Sequence, residues 1–349
     1  MQKPDGLPWV GRPLASCAVS MPSTTTDFNV LMLGSRGAGK TTLLAVMWDQ
    51  LGSAIERSKG SFRYEHSTGV YFGHAAGELR RMFDSPGLSV SPGIAGTDTP
   101  RALSIELYTQ NHTNAHLKIN FWDYPGGLLN PESSTGAEAT AFQARINDAH
   151  YFFVIVDAPA LLEHDGRFHA IRNYPYPIQY MLHNRLRSDP RGAKVLFVVV
   201  KCEKYVKEGR SQEVFRGVQK GYSNLFSDIQ ASHQSSADIC LVETLGSIVL
   251  DRLEPVMTAS GQEYPRYHFK KISQSAAHSP RNTALPLKLI LDSAIFTSLE
   301  ERRSYYEGLN WARDLLGRDD DLKGLLMHIR DLASRASDSN AHLSLRPGT

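Results

Sequence analysis

Residues 34 to 41 read Gly34-Ser35-Arg36-Gly37-Ala38-Gly39-Lys40-Thr41, a complete G-x-x-x-x-G-K-[ST] loop, and no other stretch of the chain constrains its fold as strongly. Glycines let backbone N–H groups curl around phosphates, Lys40 reaches the outer phosphates, and the Thr41 hydroxyl is placed to ligate Mg²⁺. Before the loop lies Phe28 to Leu33, an apolar run suited to a buried strand. After it, Leu43, Leu44, Met47 and Leu51 recur at helical spacing. The helix that begins there aims its positive end at the same anion. Strand, loop and helix therefore follow in the order the motif requires, which disfavours a Gly-rich turn with an incidental Lys. A nucleoside triphosphate is the expected ligand, with Gly34 through Thr41 and the following Thr42 as its contacts.

A chain of 349 residues has room for one large domain or two ordinary ones. The formal net charge of +2 gives no global reason to expect nucleic acid or an acidic membrane as partner. Three cysteines, Cys17, Cys202 and Cys240, are odd in number and widely spaced, which fits a reduced cytoplasmic setting better than a disulfide framework or zinc. The thirteen histidines are scattered, and pairs such as His164 and His169 read as parts of a solvated loop. No apolar run reaches bilayer length. Residues 1 to 26, rich in Pro, Ser, Thr and Gly, read as a flexible leader, within which Met21 is an alternative start.

Further along, residues 53 to 96 read as an insertion with a helix around His74 to Phe83 and turn-rich ends. Alternating apolar positions over Arg101 to Thr109 and His116 to Trp122 predict a hairpin. Helix is expected over Gly136 to His150, strand over Tyr151 to Val156, helix in the segment to Arg187, and strand over Val195 to Val200. One long helix over Ser211 to His233 and a strand over Ile239 to Val242 complete the pattern. Continuous β-branched and aromatic runs suit strands covered on both faces. The expected fold is α/β, three-layered, with a mixed and mostly parallel sheet between helices. Residues 27 to 255 would form the nucleotide domain. Residues 256 to 349 would be a mainly helical extension packed on it, containing the Leu285 to Leu291 helix and an apolar stripe at Leu322, Leu325, Leu326, Ile329 and Leu332.

A phosphate loop needs a second acidic element, and Asp123-Tyr124-Pro125-Gly126 supplies it at the end of a predicted strand. Asp123 would bind Mg²⁺ directly or through water, and the Gly126 N–H would approach the third phosphate. Between the two elements, Gly96-Thr97-Asp98-Thr99-Pro100 is the candidate for a hydroxyl that completes the metal shell only when the third phosphate is present. Thr97 and Thr99 both qualify, and an ordinary exposed turn is the alternative. Lys40, Arg36 and Thr99 are the residues expected to bear on catalysis.

The order of these elements over about residues 28 to 250 resembles the Ras-like P-loop small GTPases. That family marks guanine with N/T-K-x-D and with a loop like E-T-S-A-K. Here the first place reads Val200-Lys201-Cys202-Glu203 and the second Glu243-Thr244-Leu245-Gly246-Ser247. The resemblance implies that Lys201 lies along the base and that Glu203, one methylene longer than Asp, accepts from the guanine edge. It also implies that Thr244 and Leu245 belong to the base loop. A plain charged strand end is the alternative for Lys201 and Glu203. Arg36 stands where the family has its second loop glycine, and Gly127 stands where it has a water-orienting Gln, so slow hydrolysis is implied. Arg36 would either obstruct the attacking water or provide charge in cis. The W-D-Y-P-G-G block, the V-E-T-L-G run and the later L-P-L helix are similar to the prokaryotic double-GTPase group. Such proteins serve multi-protein bacterial signalling and defence systems, so a GTP/GDP switch acting on an effector or regulator protein is implied. A nucleotide-bound scaffold with little turnover and a P-loop ATPase are the other readings.

Overall fold

Val30 and Met32 pack toward one side of the strand they share, and Leu31 and Leu33 toward the other, so this strand is covered on both faces. The computed structural model describes residues 25–57, 60–84, 87–90, 99–109, 115, 117–129, 136–188, 192–232, 234–259, 261–305, 327, 330–331 and 340–345. In chain order these give β1 (Thr26–Leu33), α1 (Lys40–Arg57), β2 (Gly60–Tyr64), α2 (His66–Asp84), β3 (Ser89–Val90), β4 (Arg101–Thr109) and β5 (Leu117–Asp123). Next come α3 (Ala137–Asp148), β6 (Tyr151–Asp157), α4 (Ala158–Leu162), α5 (His169–Asn173), α6 (Pro175–Ser188), β7 (Lys194–Val200) and α7 (Glu203–Lys207). The described chain ends with α8 (Ser211–Gly221), α9 (Ser223–Ala231), β8 (Ser236–Leu241), β9 (Ile248–Met257), β10 (Glu263–Lys271), α10 (Ala284–Tyr305) and β11 (His342–Leu345).

Eight strands form the main sheet in the order β11-β8-β7-β6-β1-β5-β4-β2. The central pairs β5/β1, β1/β6, β6/β7 and β7/β8 are parallel, while the pairs β4/β5 and β2/β4 on one side and β11/β8 on the other are antiparallel. Two apolar layers cover it. On one face Leu43, Val46 and Met47 of α1 meet Phe72 and Leu79 of α2 and Ile290 and Leu291 of α10. On the other, Phe142 and Ile146 of α3 join Ile178 and Leu182 of α6, Val214 and Val218 of α8, and Leu225 and Ile229 of α9. This is the expected three-layer α/β fold. Strands buried on both sides need crossover helices on both sides, which the sequence alternation supplied.

Three expectations change. The helix foreseen over Ser211 to His233 is two helices, because Tyr222 turns its ring into the core beside Phe197, with centroids 5.0 Å apart, and its hydroxyl donates to the Asn173 carbonyl at 2.8 Å. The boundary at 255 falls inside β9, and the described part of the segment beyond it holds strands beside the helix α10. There β10 pairs with β9 and β3 in a second, antiparallel sheet, and β11 joins the main one. Pro255 and Pro265 disguised that hairpin. They face each other where β9 and β10 are only two strands wide, so each missing N–H can face away from the partner strand. The proposed insertion likewise begins inside α1, and its β2 and α2 extend the sheet and its cover. The five leucine and isoleucine positions of the stripe at 322 to 332 lie outside the described residues, as do residues 1 to 24 of the leader read over residues 1 to 26, whose last residue, Thr26, opens β1.

Candidate nucleotide site

β1 ends at Leu33 and α1 begins at Lys40, so the loop between them lies at the carboxyl edge of the parallel strands, where open α/β sheets place ligands. Two turns in the loop demand glycine, Gly37 at φ 72° and Gly39 at φ 112°. Lys40, 6% exposed, donates to the carbonyls of Gly34 at 2.8 Å and Ser35 at 3.3 Å. Its ammonium lies 4.0 Å from Asp123 Oδ1. Burial pushes the Lys40 pKa down; Asp123 opposes that shift and Arg172 adds to it. The Ser35 hydroxyl is buried with no hydrogen-bond partner among the described residues, as fits a loop shaped for an acceptor from outside the chain.

Beside the loop, Asp123 closes β5 fully buried, and the Thr41 hydroxyl accepts from the Tyr71 hydroxyl of α2 at 3.0 Å. Gly126 follows three residues later. A Cβ built on it would lie 2.4 Å from the Arg36 nitrogen and 2.6 Å from the Ser35 carbonyl carbon, so D-x-x-G backbone rests directly on phosphate-loop backbone. Only glycine permits that approach. A buried carboxylate, a hydroxyl and a backbone cradle in this arrangement fit a hard cation held between loop and phosphates. Gly127 and the Arg36 side chain are exposed. Thr99 is exposed just before β4 and is not among the residues lining the cavity; Thr97 lies outside the described residues.

A cavity of about 430 Å³ opens beside the loop. Ser35, Arg36, Gly37, Gly39, Lys40, Thr41 and Thr42 line one wall, and Lys201, Thr244 and Leu245 line another. Gly34 and Ala38 form the back of the loop, buried against the core. Lys201 donates to the Gly37 carbonyl at 2.9 Å and to Asp157 Oδ2 at 2.5 Å, and its ammonium lies 4.3 Å from the centroid of the Tyr267 ring. Glu203 departs from its expected place. Its extra methylene lets the carboxylate reach back under the loop, where it accepts from the Leu245 N–H at 3.0 Å, and it does not line the cavity. Glu203 therefore supports the Leu245 backbone from behind.

Burial pushes the Glu203 pKa up to about 7, against the backbone hydrogen bond from Leu245. A raised carboxyl pKa means the folded state holds a proton more tightly than the unfolded chain. Its contribution to stability is therefore full below about pH 4.5 and is lost as pH climbs toward about 7. Glu203→Gln keeps an acceptor for Leu245 and removes the titration. Urea unfolding should show the variant gaining about 1 to 3 kcal/mol on the wild type between pH 5 and pH 8. A constant difference across that range would refute the burial argument.

Sequence reasoning missed Tyr71, Asp157, Arg172, Tyr264 and Tyr267. Asp157 had a signal, a carboxylate directly after the apolar run of β6 at the same edge of the sheet as the loop. The others come from α2, α5 and β10, which only tertiary packing brings to the cavity.

The sequence over residues 30–244 matches the model of the family described as Double-GTPase 2, more than half of the chain. This chain belongs to the Double-GTPase 2 family. The match spans the phosphate loop, D-x-x-G, Lys201 and Thr244, and membership of this family makes the chain a GTP-binding protein. No curated protein matches the sequence significantly. Among solved structures, the GTPase-like domain of Ski7 from S. cerevisiae, bound to GTP, is 12% identical with a TM-score of 0.41, covering 64% of this chain and 44% of that one. The same domain bound to GDP and inorganic phosphate is 13% identical with a TM-score of 0.37, covering 63% and 44%. The chain thus spans less than half of the length of those relatives. No helix among the described residues is long and apolar enough to cross a membrane.

Proposed function

We propose that this member of the Double-GTPase 2 family is a guanine-nucleotide switch that binds Mg²⁺ and GTP, hydrolyses the GTP slowly in the cytoplasm, and controls a partner protein of a bacterial signalling or defence system. The observation that carries the reading is the seat of Gly126 on the Ser35–Arg36 backbone, which makes the D-x-x-G segment feel any change in the loop. Bound Mg²⁺ would neutralise charge on the β- and γ-phosphates. Thr41 and Asp123 would hold it. Lys40 and the loop N–H groups of Gly37 to Lys40 would stabilise charge on the phosphates, and Thr97 or Thr99 would sense the third phosphate. Lys201 and the Thr244–Leu245 backbone would bound the base. An exposed Gly127 in place of a water-orienting side chain, and Arg36 in place of a loop glycine, support a low turnover rate.

The same reading takes a route for readout through β10. β10 lines the cavity through Tyr264 and Tyr267, and it pairs through Phe269 and Lys270 with β3, directly before the segment that carries Thr97. The scaffold reading draws on the same Arg36 and Gly127, and differs only in expecting no nucleotide-dependent partner. The test is the nucleotide carried through purification, followed by affinities for GTP, GDP and ATP and single-turnover hydrolysis with and without candidate partner proteins. Co-purified guanine nucleotide, preference for GTP over ATP and slow turnover are expected. Equal affinity for ATP and GTP would remove the guanine assignment.

A further inference from the structure

Arg172 is a buried cation in the site to which the loop motifs give no task. It lies in α5, its side chain only 5% exposed, yet it lines the cavity beside the phosphate loop. Its Nη2 sits 3.5 Å from where a Cβ on Gly37 would stand, over the outward face of the loop. β10 fixes it there. The Tyr267 hydroxyl accepts from Nε at 3.3 Å, the Tyr264 hydroxyl accepts from Nη1, and the two rings lie 5.5 and 5.2 Å from the guanidinium carbon.

The acceptors around this guanidinium do not match its charge. Two are neutral phenols, and the nearby carboxylate, Asp157, is 4.0 Å away and engaged with Lys201 at 2.5 Å. Lys40 and Lys201 also converge on the loop, the one on the carbonyls of Gly34 and Ser35 and the other on that of Gly37. Three cations thus surround a four-residue stretch approached by the carboxylates Asp123 and Asp157. After burial, which lowers the Lys201 pKa, Arg172 is itself one of the charges that lower it further. A cation cluster of this kind is relieved by an anion placed among its members, and a guanidinium offers two parallel donors to a phosphate.

We propose that Arg172 is a phosphate-contacting residue supplied in cis, held over the phosphate loop by Tyr264 and Tyr267 of β10, so that the second sheet takes part in gripping the nucleotide. The inference rests on the nucleotide reading above. A purely structural Arg172 would instead fasten β10 to the domain and have no preference among nucleotides.

The experiment uses the full chain and measures dissociation constants for GTP and GDP with Mg²⁺ and for GMP, together with the melting temperature without nucleotide. The variants are Arg172→Met, Arg172→Lys and the double variant Tyr264→Phe with Tyr267→Phe. Arg172→Met should weaken GTP and GDP about 10- to 100-fold and GMP far less. Arg172→Lys should recover part of the loss. The tyrosine double variant should fall between them, since the cation stays but its position loosens. Equal loss for all three nucleotides in step with a lower melting temperature, or no loss at all, overturns the inference. If Arg172→Met does not fold, the tyrosine variant decides by the same ratio of GTP to GMP. A wild type that binds none of the three overturns the nucleotide reading itself, whereas a wild type that binds with unchanged variants overturns only the role of Arg172.

Discussion

Lys40→Ala is expected to weaken binding of GTP and GDP about 100-fold or more, a loss far larger than any change it makes in the stability of the nucleotide-free protein. The ammonium is buried, and its solvation is replaced by the carbonyls of Gly34 and Ser35 and by Asp123 at 4.0 Å. Holding a charge there already costs free energy, as its lowered pKa records. Deleting it removes that cost from the empty protein, against the lost hydrogen bonds and a buried Asp123 carboxylate left without its neighbouring cation. With nucleotide present the balance differs, because the same charge would meet phosphate oxygens in a site largely closed to water. Hydrogen bonds between charged groups there contribute about 1.5 to 3 kcal/mol each, and two of them amount to the stated factor. Titration calorimetry and a urea unfolding curve of the empty variant check both halves. Affinity within threefold of wild type would mean that the loop does not carry the phosphates.

Asp157→Ala is expected to destabilise the protein by about 3 kcal/mol, near the lower end for breaking a buried pair from one side. Asp157 is fully buried at the end of β6. Its Oδ2 receives Lys201 at 2.5 Å, and its Oδ1 caps α4 by accepting from the Ala160 N–H at 3.0 Å. Alanine removes the cap, worth about 1 kcal/mol, and leaves Lys201 with the Gly37 carbonyl and the Tyr267 ring but no neutralising carboxylate. The Lys201 side chain keeps 17% exposure, which is why the lower end applies. Asp157→Asn preserves an acceptor for Ala160 and should recover the capping share alone. Urea unfolding of the two variants separates the contributions, and a loss below about 1 kcal/mol for alanine would mean that Lys201 finds another partner.

The parts of this protein legible in its sequence are those whose cause is local. Gly37 and Gly39 are required by positive φ within the loop itself, and Lys40 and Thr41 by spacing along a strand, turn and helix. The runs of β6 and β7 announced strands buried on both faces because the whole face composition, read along a few residues, is the signal. Such features fixed the fold class and set the loop between β1 and α1 at the carboxyl edge of the sheet. Tertiary structure decided the rest. That Glu203 turns under Leu245, that Tyr71 reaches Thr41, and that β10 crosses the chain to hold Arg172 over Gly37 depend on contacts between residues 30 to 95 positions apart. No short-range pattern encodes such contacts. They follow from which apolar faces are buried together, and the polar groups then settle on the partners that burial leaves within reach.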